Sequence, residues 1–390
     1  MRFSDRLERI PPYLFATLDQ KIEERLASGA DVISFAVGDP DIPPPEHVKA
    51  ALVRAVEDDY VHRYPSYKGM PELREATAEY CEHRFGVDLD PSSEVLALIG
   101  SKEGIAHLAL AMCSQGDVVL VPDPAYPVYE MSALIAGAEI YRVPLSEERG
   151  FMPALDSIPD EIADRARLLW LNYPNNPCAA VATLDFFREV VGYAKKHDLL
   201  VAHDNAYAEI TYDGYIAPSI LQVDGAKDVA VEFHSLSKTF SMAGWRVGMV
   251  VGNSDAISAL GQIKTNIDSG IFPAVQRAAI AALKGPRDFI EKVREVYGHR
   301  RKLLVDGLRS IGWDWVQYPE ATLYVWAKVP EGYRSGELAD LLLDKADVVV
   351  VPGAGYGKHG EGFVRFSVTL DEKRVQEGIE RIGEAFGGSK

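Results

Sequence analysis

The most informative segment of this sequence is Ser235-Leu236-Ser237-Lys238-Thr239-Phe240-Ser241-Met242-Ala243-Gly244-Trp245-Arg246-Val247-Gly248. It places Lys238 among small hydroxylated residues and Arg246 between two glycines. The apolar run at residues 247–251 follows, which indicates that the loop leads into a buried strand. A lysine in a serine-rich turn is also typical of an ordinary surface loop, so the interpretation depends on what the rest of the chain supplies.

Composition narrows the class of protein. The chain has 390 residues, which is long for one core and predicts two domains. Hydrophobic residues make up 47% and charged residues 25%, as in ordinary globular proteins. The net charge of −17 argues against nucleic acid or an anionic membrane surface as a partner. We therefore expect small molecules as the substrates.

The cysteines and the N-terminal residues indicate a compartment. Cys81, Cys113 and Cys178 are odd in number and far apart, so they form neither a metal motif nor a disulfide framework, and they fit a reducing compartment. Residues 1–6 lack the apolar core of a signal peptide, and no segment offers about 18 uninterrupted apolar residues. We expect a cytoplasmic protein without a metal.

Short apolar runs alternate with amphipathic segments through the middle of the chain. Runs of this kind, apolar on both faces, predict a mostly parallel sheet of the seven-stranded type with helices on both sides, which is an α/β fold. The amphipathic segment at 184–194 is one of the predicted helices. The predicted strands are residues 95–99, 118–121, 168–171, 199–202, 229–233 and 247–251.

A second pattern follows the last of these strands. A long helical segment at 289–309 precedes three more apolar runs, and together they predict a smaller α+β domain. We expect a large domain at 46–288, with residues 1–45 and 289–390 forming an N-terminal arm and the small domain. The runs of the small domain are residues 323–327, 348–351 and 363–368.

Polar residues cluster where the predicted parallel strands end, which is where ligands bind in such sheets. Together they match what pyridoxal phosphate requires of a protein. Lys238 would form the Schiff base and carry protons at the substrate α-carbon. Asp204 would keep the pyridine nitrogen protonated, although a strand-end aspartate is also a common helix cap. The residues at these ends are Ser101, Lys102, Asp123, Asn172, Asp204 and Ser235.

Three further side chains complete the surroundings of a cofactor ring. Asn176 lies in a rigid turn with two prolines and three asparagines, where turn formation alone is the simpler explanation. Asn176 and Tyr207 would share the phenolic oxygen of the cofactor. Tyr126 would stack on the ring, unless it is an ordinary core tyrosine.

Phosphate and carboxylate groups each have candidate partners. Residues 100–104 follow a strand and open a helix, whose N-terminal amides suit a phosphate. Ser101, Lys102, Ser235, Ser237 and Arg246 would complete that cradle. Arg365 lies on an apolar strand and could hold a substrate carboxylate with two parallel hydrogen bonds, or else form a structural ion pair.

These residues, in this order, resemble the fold-type I, class I/II aminotransferases over essentially the whole chain. The resemblance implies that Lys238 is the Schiff-base lysine and that Arg365 holds the substrate α-carboxylate. It also implies that the backbone of Gly38 closes over the substrate. Tyr64 would reach the cofactor phosphate of a neighbouring subunit, which implies a homodimer with shared active sites.

A narrower resemblance is to the LL-diaminopimelate aminotransferases of the shorter, prokaryotic type. It implies glutamate/2-oxoglutarate and LL-diaminopimelate/tetrahydrodipicolinate as substrates, in lysine biosynthesis. Lys102 and Asn266, the latter from the partner chain, would then approach the distal carboxylate, and Tyr13 would also contact substrate. The motifs that carry this resemblance are residues 11–15, 100–107, 233–238 and 266–270.

Other functions stay open at this point. The chain has Cys178-Ala179, Asn205 and residues 240–243 where the family usually has other side chains, so an alanine or broad-range aminotransferase is an alternative. A lyase or decarboxylase with the same cofactor would use the same motifs. A non-catalytic regulator with the fold of pyridoxal-phosphate enzymes would need an N-terminal DNA-binding domain. Only about 45 residues precede the first clear helix, which argues against that function. A dinucleotide-binding dehydrogenase would need Gly-x-Gly-x-x-Gly after its first strand, which is missing.

Overall fold

A computed structural model describes residues 3–11 and 14–387. Its largest sheet has seven strands in the order β2-β8-β7-β6-β5-β3-β4, and smaller sheets hold the rest. The strands are β1 Ile33–Ser34, β2 Val95–Leu98, β3 Val118–Asp123, β4 Glu139–Pro144, β5 Ala166–Asn172, β6 Leu200–Asp204, β7 Ala230–Ser235, β8 Gly248–Gly252, β9 Tyr324–Lys328, β10 Val348–Val349, β11 Val351–Pro352 and β12 Phe363–Ser367.

Helices cover the sheets. The helices are α1 Asp5–Arg9, α2 Leu14–Ala27, α3 Glu46–Val56, α4 Pro71–Phe85, α5 Ser101–Met112, α6 Val128–Ala136, α7 Asp160–Ala163, α8 Leu184–His197, α9 Leu236–Thr239, α10 Ser254–Thr265, α11 Pro273–Leu283, α12 Asp288–Ser310, α13 Ser335–Ala346 and α14 Glu372–Gly387. Their ends carry residues that favour the start or the end of a helix. Pro71 begins α4, Gly86 ends it with a left-handed backbone conformation, and the Thr183 side chain caps the N-terminus of α8.

The large sheet is mostly parallel, as predicted. Strands β3 to β7 pair in parallel, whereas β8 runs antiparallel to both β7 and β2. The antiparallel strand follows from a short connection, because β7 and β8 are joined by a compact loop that contains the single turn α9 and a 3-10 turn at Ala243–Trp245. All six predicted strands are present in this sheet, with ends that differ by at most two residues.

The seventh strand, β4, escaped prediction. It lies at the edge of the sheet beside β3, and only Val143 of its six residues is buried. An edge strand has one neighbour and exposes polar side chains, so it lacks the continuous apolar run by which the other strands are recognised.

A smaller group of elements packs beside the large sheet. Strands β11, β12 and β9 form an antiparallel sheet, and β1 pairs with β10. The N-terminal segment therefore contacts the C-terminal part of the chain through the pairing of β1 with β10. Tyr207, Ile210 and Tyr212 pack in this second core, although they lie within the predicted large domain, and the domain boundaries stay a prediction.

The described residues contain neither a membrane-spanning helix nor a cluster of metal ligands. None of its helices has both the length and the apolar character needed to cross a membrane. Its histidine, cysteine, aspartate and glutamate side chains form no group of three or more that could hold a metal ion.

Candidate active site

A cavity of about 240 Å³ opens at the carboxyl ends of the parallel strands. Most of the predicted site residues line it, although they come from distant parts of the chain. The predicted residues in the wall are Gly38, Ser101, Lys102, Tyr126, Asn172, Asn176, Asp204, Tyr207, Ser235, Ser237, Lys238, Arg246 and Arg365. Val37, Tyr129, Ala206, Ala243 and Tyr324 line it as well.

Lys238 is held at the mouth of the cavity by its own short helix. The Ser235 side chain caps α9 by accepting a hydrogen bond from the Ser237 amide at 3.3 Å. The Lys238 side chain is half-buried, and its Nζ donates to the Gly38 carbonyl oxygen at 2.5 Å. This contact brings the amine against the N-terminal segment, where the sequence predicted a backbone contact to substrate.

Asp204 lies at the end of β6 with its carboxylate only partly satisfied. Oδ2 accepts a hydrogen bond from the Tyr129 hydroxyl at 2.7 Å. Oδ1 is buried and has no hydrogen-bond partner among the described residues. Burial raises the pKa of Asp204 above the ordinary carboxyl value, and the bond from Tyr129 opposes that rise. A cationic N–H group in the cavity would satisfy Oδ1 and favour the ionised carboxylate.

The turn after β5 positions Asn176. The Asn172 side chain accepts from the Asn176 amide at 2.7 Å and donates to the Asp204 carbonyl oxygen at 2.7 Å. A second asparagine, Asn175, donates to the Asn172 carbonyl oxygen at 3.0 Å. The three asparagines therefore form one buried network that joins the ends of β5 and β6, which explains why amides rather than apolar side chains occur here.

Arg365 reaches the cavity from β12 and is 1% exposed. Its Nη1 donates to Asn176 Oδ1 at 2.7 Å, and its Nη2 donates to the Ala36 carbonyl oxygen at 2.6 Å. The guanidinium carbon lies 3.9 Å from the centroid of the Tyr324 ring. Both of these partners are neutral. A guanidinium in this position can receive a carboxylate, and a structural ion pair stays the alternative to that role.

An anion cradle forms between the N-terminus of α5 and the loop after α9. Gly100 precedes α5 with φ 73°, and a side chain there would collide with the Arg246 guanidinium. The Arg246 Nη1 donates to the Ala243 carbonyl oxygen at 2.6 Å. Because Gly100 has no side chain, the Arg246 guanidinium can approach the N-terminus of α5, where the Ser101 amide lies. The guanidinium and the helix N-terminus both favour the binding of a phosphate.

Tyr324 is a site residue that sequence reasoning missed. Its hydroxyl lies 2.9 Å from the Tyr207 hydroxyl, and a side chain at Gly38 would collide with it. Burial would raise the pKa of Tyr324, but the nearby Arg365 and Lys238 cations outweigh burial and hold it below the ordinary tyrosine value. In the sequence Tyr324 is one apolar residue of a predicted strand, with no polar neighbour to mark it.

Tyr129 was also missed, because it reads as part of the apolar face of α6. Its ring stacks on Trp170 with centroids 4.9 Å apart, and its hydroxyl bonds Asp204. Tyr126, one turn earlier, packs edge-on against Tyr129 and lines the cavity. The Lys102 Nζ lies 5.9 Å from the centroid of the Tyr126 ring, so the ring has a cation on one side.

Three described residues singled out in the sequence are not in this wall. Tyr64 is 90% exposed, and the Asn266 side chain donates to the Gln262 carbonyl oxygen at 2.8 Å on the surface. Asp123 lies at a strand end, but its carboxylate pairs with His359 Nδ1 at 2.8 Å. Tyr13 lies outside the described residues. The roles of Tyr64, Asn266 and Tyr13 stay predictions.

The fold and the cavity together define a pyridoxal-phosphate enzyme of fold type I. The cofactor fits on observations of the wall itself: a buried carboxylate oxygen with no partner, an amine at the mouth, and a cradle kept open by glycine. The residues that would hold the cofactor are Ser101, Tyr126, Asn176, Asp204, Tyr207, Ser235, Ser237, Lys238 and Arg246.

Comparisons with known proteins agree with this class. The family described as aminotransferase class I and II matches residues 30–382. An LL-diaminopimelate aminotransferase of Dehalococcoides mccartyi is 53% identical, with 98% of each chain covered. Another of that description from Aquifex aeolicus is 52% identical, over 97% of this chain and 98% of the relative. A solved structure of substrate-bound BacF from Bacillus subtilis has a TM-score of 0.95 and 34% identity, with 98% of each chain covered.

This chain therefore belongs to the aminotransferase class I and II family. It is a transaminase, and its cofactor is pyridoxal phosphate.

Proposed function

We propose that this enzyme transfers an amino group between LL-diaminopimelate and 2-oxoglutarate, giving tetrahydrodipicolinate and glutamate or running in the opposite direction for lysine biosynthesis. The observation that carries the proposal is the identity of 51–53% over nearly full length to relatives described as LL-diaminopimelate aminotransferases. The cavity supports it with two cations, Arg365 and Lys102, which suit a substrate that carries two separate carboxylates.

We assign the proton transfer to Lys238. Bound pyridoxal phosphate supplies an electron sink that acidifies the substrate α-carbon. As a free amine, the Lys238 Nζ would carry the proton between the substrate α-carbon and the cofactor carbon, which requires it to lie close to both. The bond to the Gly38 carbonyl oxygen at 2.5 Å orients the amine at the mouth of the cavity, so the position of the N-terminal segment affects where the proton moves.

Asp204 and Tyr207 would both hold the cofactor ring in this proposal. Asp204 Oδ1 is the buried oxygen that a ring N–H would satisfy, and Tyr129 keeps Oδ2 in place. Tyr207 and Asn176 would donate to the phenolic oxygen of a bound cofactor. Because each of these groups is itself hydrogen-bonded by a buried neighbour, the ring would meet a prearranged site rather than inducing one.

Substrate carboxylates would bind at two cations. Arg365 is 1% exposed, so an α-carboxylate that it bound with two parallel hydrogen bonds would meet little competition from water. Lys102 would hold the distal carboxylate, with Asn266 and Tyr13 as further substrate contacts. Lys102→Ala should therefore lower turnover of LL-diaminopimelate more than turnover of L-alanine. An equal fall for both substrates would show that Lys102 does not recognise the distal group.

We further propose a homodimer in which Tyr64 of each subunit reaches the cofactor phosphate of the other, and Asn266 reaches the substrate. Two observations support this: Tyr64 is 90% exposed, and neither residue lines its own cavity. The cytoplasm is the proposed location, which the free thiols of Cys81, Cys113 and Cys178 favour.

The substrate is tested by a single-turnover absorbance experiment on the purified holoenzyme. LL-diaminopimelate, meso-diaminopimelate, L-alanine, L-aspartate and L-glutamate are mixed with it separately, without a keto acid. Rapid loss of the cofactor band with LL-diaminopimelate and L-glutamate, and slow loss with L-alanine and the meso isomer, is expected. Rapid loss with alanine or aspartate but not with LL-diaminopimelate would refute the lysine-pathway assignment. Failure of every amino acid to convert the cofactor would favour a lyase instead.

A further inference from the structure

A second cleft, about 610 Å³ in volume, lies away from the active site. It is bounded by α4, α11, the start of α12 and the loop at 211–216. Three arginines line it, and behind them lies the carboxylate of Glu209, which is 0% exposed. We call this the Glu209 cleft. Its arginines are Arg84, Arg287 and Arg294.

Glu209 has no capacity left for more donors. Its Oε1 accepts from the Tyr80 hydroxyl at 2.9 Å, from Arg84 Nε at 3.2 Å and from Arg287 Nη2 at 2.9 Å. Its Oε2 accepts from Arg287 Nη2 and Arg294 Nη2 at 2.8 and 2.7 Å. A carboxylate offers about four lone-pair positions, so further guanidinium N–H groups cannot be satisfied there.

Several N–H groups of the arginines are consequently left over. Nε and Nη1 of Arg287, and Nη1 of Arg294, donate to no described residue, whereas Arg294 Nε is used by the Glu209 carbonyl oxygen at 2.7 Å. The side chains of Arg287 and Arg294 line the cleft and are 48% and 30% exposed. A ligand oxygen can therefore reach them.

The net charge of the Glu209 cleft also favours the binding of an anion. The three guanidiniums paired with Glu209 carry two more positive charges than it neutralises, in a chain whose net charge is −17. Glu291 is a further carboxylate whose charge acts on Arg287. The remaining charged pair of the cleft, Lys284 with Glu79 at 2.7 Å, is neutral overall. Burial lowers the pKa of Arg294, and the like charges of Arg287 and Arg84 add to that fall although Glu209 opposes it. An anion would relieve this repulsion.

We propose that the Glu209 cleft binds a small doubly charged oxyanion, of the class of inorganic phosphate or a phosphate ester, through the free N–H groups of Arg287 and Arg294. Fork-shaped guanidiniums suit such tetrahedral oxyanions, because two parallel N–H groups meet two oxygens. The cleft joins α4 to the start of α12, and Glu209 follows Asp204 and Tyr207 on the same segment. An anion here would stabilise the contact of α12 with that segment.

The test is a phosphate titration of the holoenzyme by isothermal titration calorimetry, at constant ionic strength maintained with chloride. The holoenzyme is used because its cofactor occupies the active-site phosphate cradle. One phosphate per chain is expected to bind, and Arg287→Gln should weaken its affinity at least about tenfold. Lys292→Gln is the matched control, since Lys292 is an exposed cation of α12 outside the cleft, and it should leave the affinity within about twofold.

Arg287→Lys provides a second variant that keeps the ion pair with Glu209 but lacks the guanidinium fork. Its affinity should lie between those of the native protein and Arg287→Gln. Three results would overturn the proposal: no heat beyond chloride exchange, unchanged affinity in Arg287→Gln, or an equal loss in Lys292→Gln. The second result would place the bound phosphate elsewhere, for example at Arg365, and the third would indicate general attraction by surface charge.

Discussion

One side chain, Tyr324, connects the two sheets of this enzyme at the cavity. It lies on β9 of the small sheet, and its hydroxyl meets the hydroxyl of Tyr207, which follows β6 of the large sheet. Its ring supports the Arg365 guanidinium at 3.9 Å. Tyr324 is therefore a positioning residue, since it orients one group proposed to bind the cofactor and one proposed to bind the substrate.

We expect Tyr324→Phe to lower kcat/KM about fivefold, because a buried hydrogen bond between hydroxyls is worth about 1 kcal/mol and the ring is retained. The native pKa of Tyr324 is held below the ordinary value by Arg365 and Lys238 despite burial. As pH rises, this hydroxyl ionises and phenylalanine does not. The alkaline limb of the pH profile of cofactor absorbance should therefore be lost in the variant.

Tyr212→Phe is the matched control for this prediction. Tyr212 is also a buried tyrosine of the same core, and its hydroxyl donates to the Thr322 carbonyl oxygen at 2.7 Å, outside the cavity. It should lose stability without altering the pH profile. Identical absorbance profiles for Tyr324→Phe and the native enzyme would contradict a positioning role.

Strand β8 and helix α5 meet at the anion cradle, where two elements must approach without a side chain between them. A Cβ atom added to Gly248, the first residue of β8, would lie 2.7 Å from the Ser101 amide nitrogen and 2.8 Å from the His234 carbonyl oxygen. Both neighbours are backbone atoms and cannot rotate away. The approach of β8 to the N-terminus of α5 therefore depends on glycine.

Gly248→Ala should move the Ser101 amide out of the cradle and raise the dissociation constant of the cofactor about tenfold, with a loss of stability of about 1–3 kcal/mol from overpacking. Fluorescence quenching on cofactor binding gives the first quantity and thermal denaturation the second. In α8, Gly192→Ala meets nothing within 4 Å and should stabilise the protein by about 0.5–1 kcal/mol. Unchanged cofactor affinity in Gly248→Ala would refute the role of this contact.

Helix α14 is tied to the N-terminal segment by charge. The Asp31 carboxylate accepts from Arg374 Nη1 and Nη2 at 2.8 Å and from Arg381 Nη2 at 2.7 Å. Hydrogen bonds from Arg374 and then from Arg381 lower the pKa of Asp31 to about 2. Because the folded pKa lies below the unfolded value of about 3.9, this carboxylate stabilises the fold above about pH 4 and stops doing so as pH falls toward 2.

Asp31→Asn should consequently lower the melting temperature at pH 7, and the difference from the native protein should shrink as pH falls from about 4 to about 2. Differential scanning calorimetry across this range measures it. Asp19→Asn, on α2, removes an exposed carboxylate that has no described ion pair, and it should show little effect at any pH. A difference for Asp31→Asn that stayed constant with pH would exclude ionisation as its cause.

At the scale of the whole molecule, the assembly decides whether an active site is complete. If Tyr64 serves the partner subunit, a dimer of one Lys238→Ala chain and one Tyr64→Ala chain contains one site with both defects and one intact site. Each parent dimer should be nearly inactive. The mixed dimer, purified with two tags, should recover about half of the native activity.

The expected activity is the opposite when Lys238→Ala and Tyr64→Ala are placed on the same chain. A dimer of a native chain with a Lys238→Ala/Tyr64→Ala chain should be inactive, because one site lacks the lysine and the other lacks the tyrosine. If Tyr64 instead served its own chain, that dimer would keep half of the activity and the first would have none. The two mixed dimers thus give opposite results for shared and unshared sites.

Local sequence was enough to predict the parallel sheet and most of the cavity wall, including the position of Lys238. Strands β2, β3, β5, β6, β7 and β8 are buried on both faces, so each appears as a continuous apolar run, and the polar residues that follow the runs must meet at one edge. Lys238, Asp204 and Asn176 were found because each interrupts such a pattern with a side chain that a buried strand end or turn rarely needs.

Only the tertiary structure revealed the roles of residues that look ordinary in the sequence. Strand β4 is exposed at an edge, Tyr129 and Tyr324 resemble core tyrosines, and Glu209 resembles any acidic residue, so only their neighbours distinguish them. The partners Tyr207 and Tyr324, like Asn176 and Arg365, are far apart along the chain and meet only when the two sheets pack together. Periodicity reports the burial of a residue, but the identity of its contacts is a property of the folded chain.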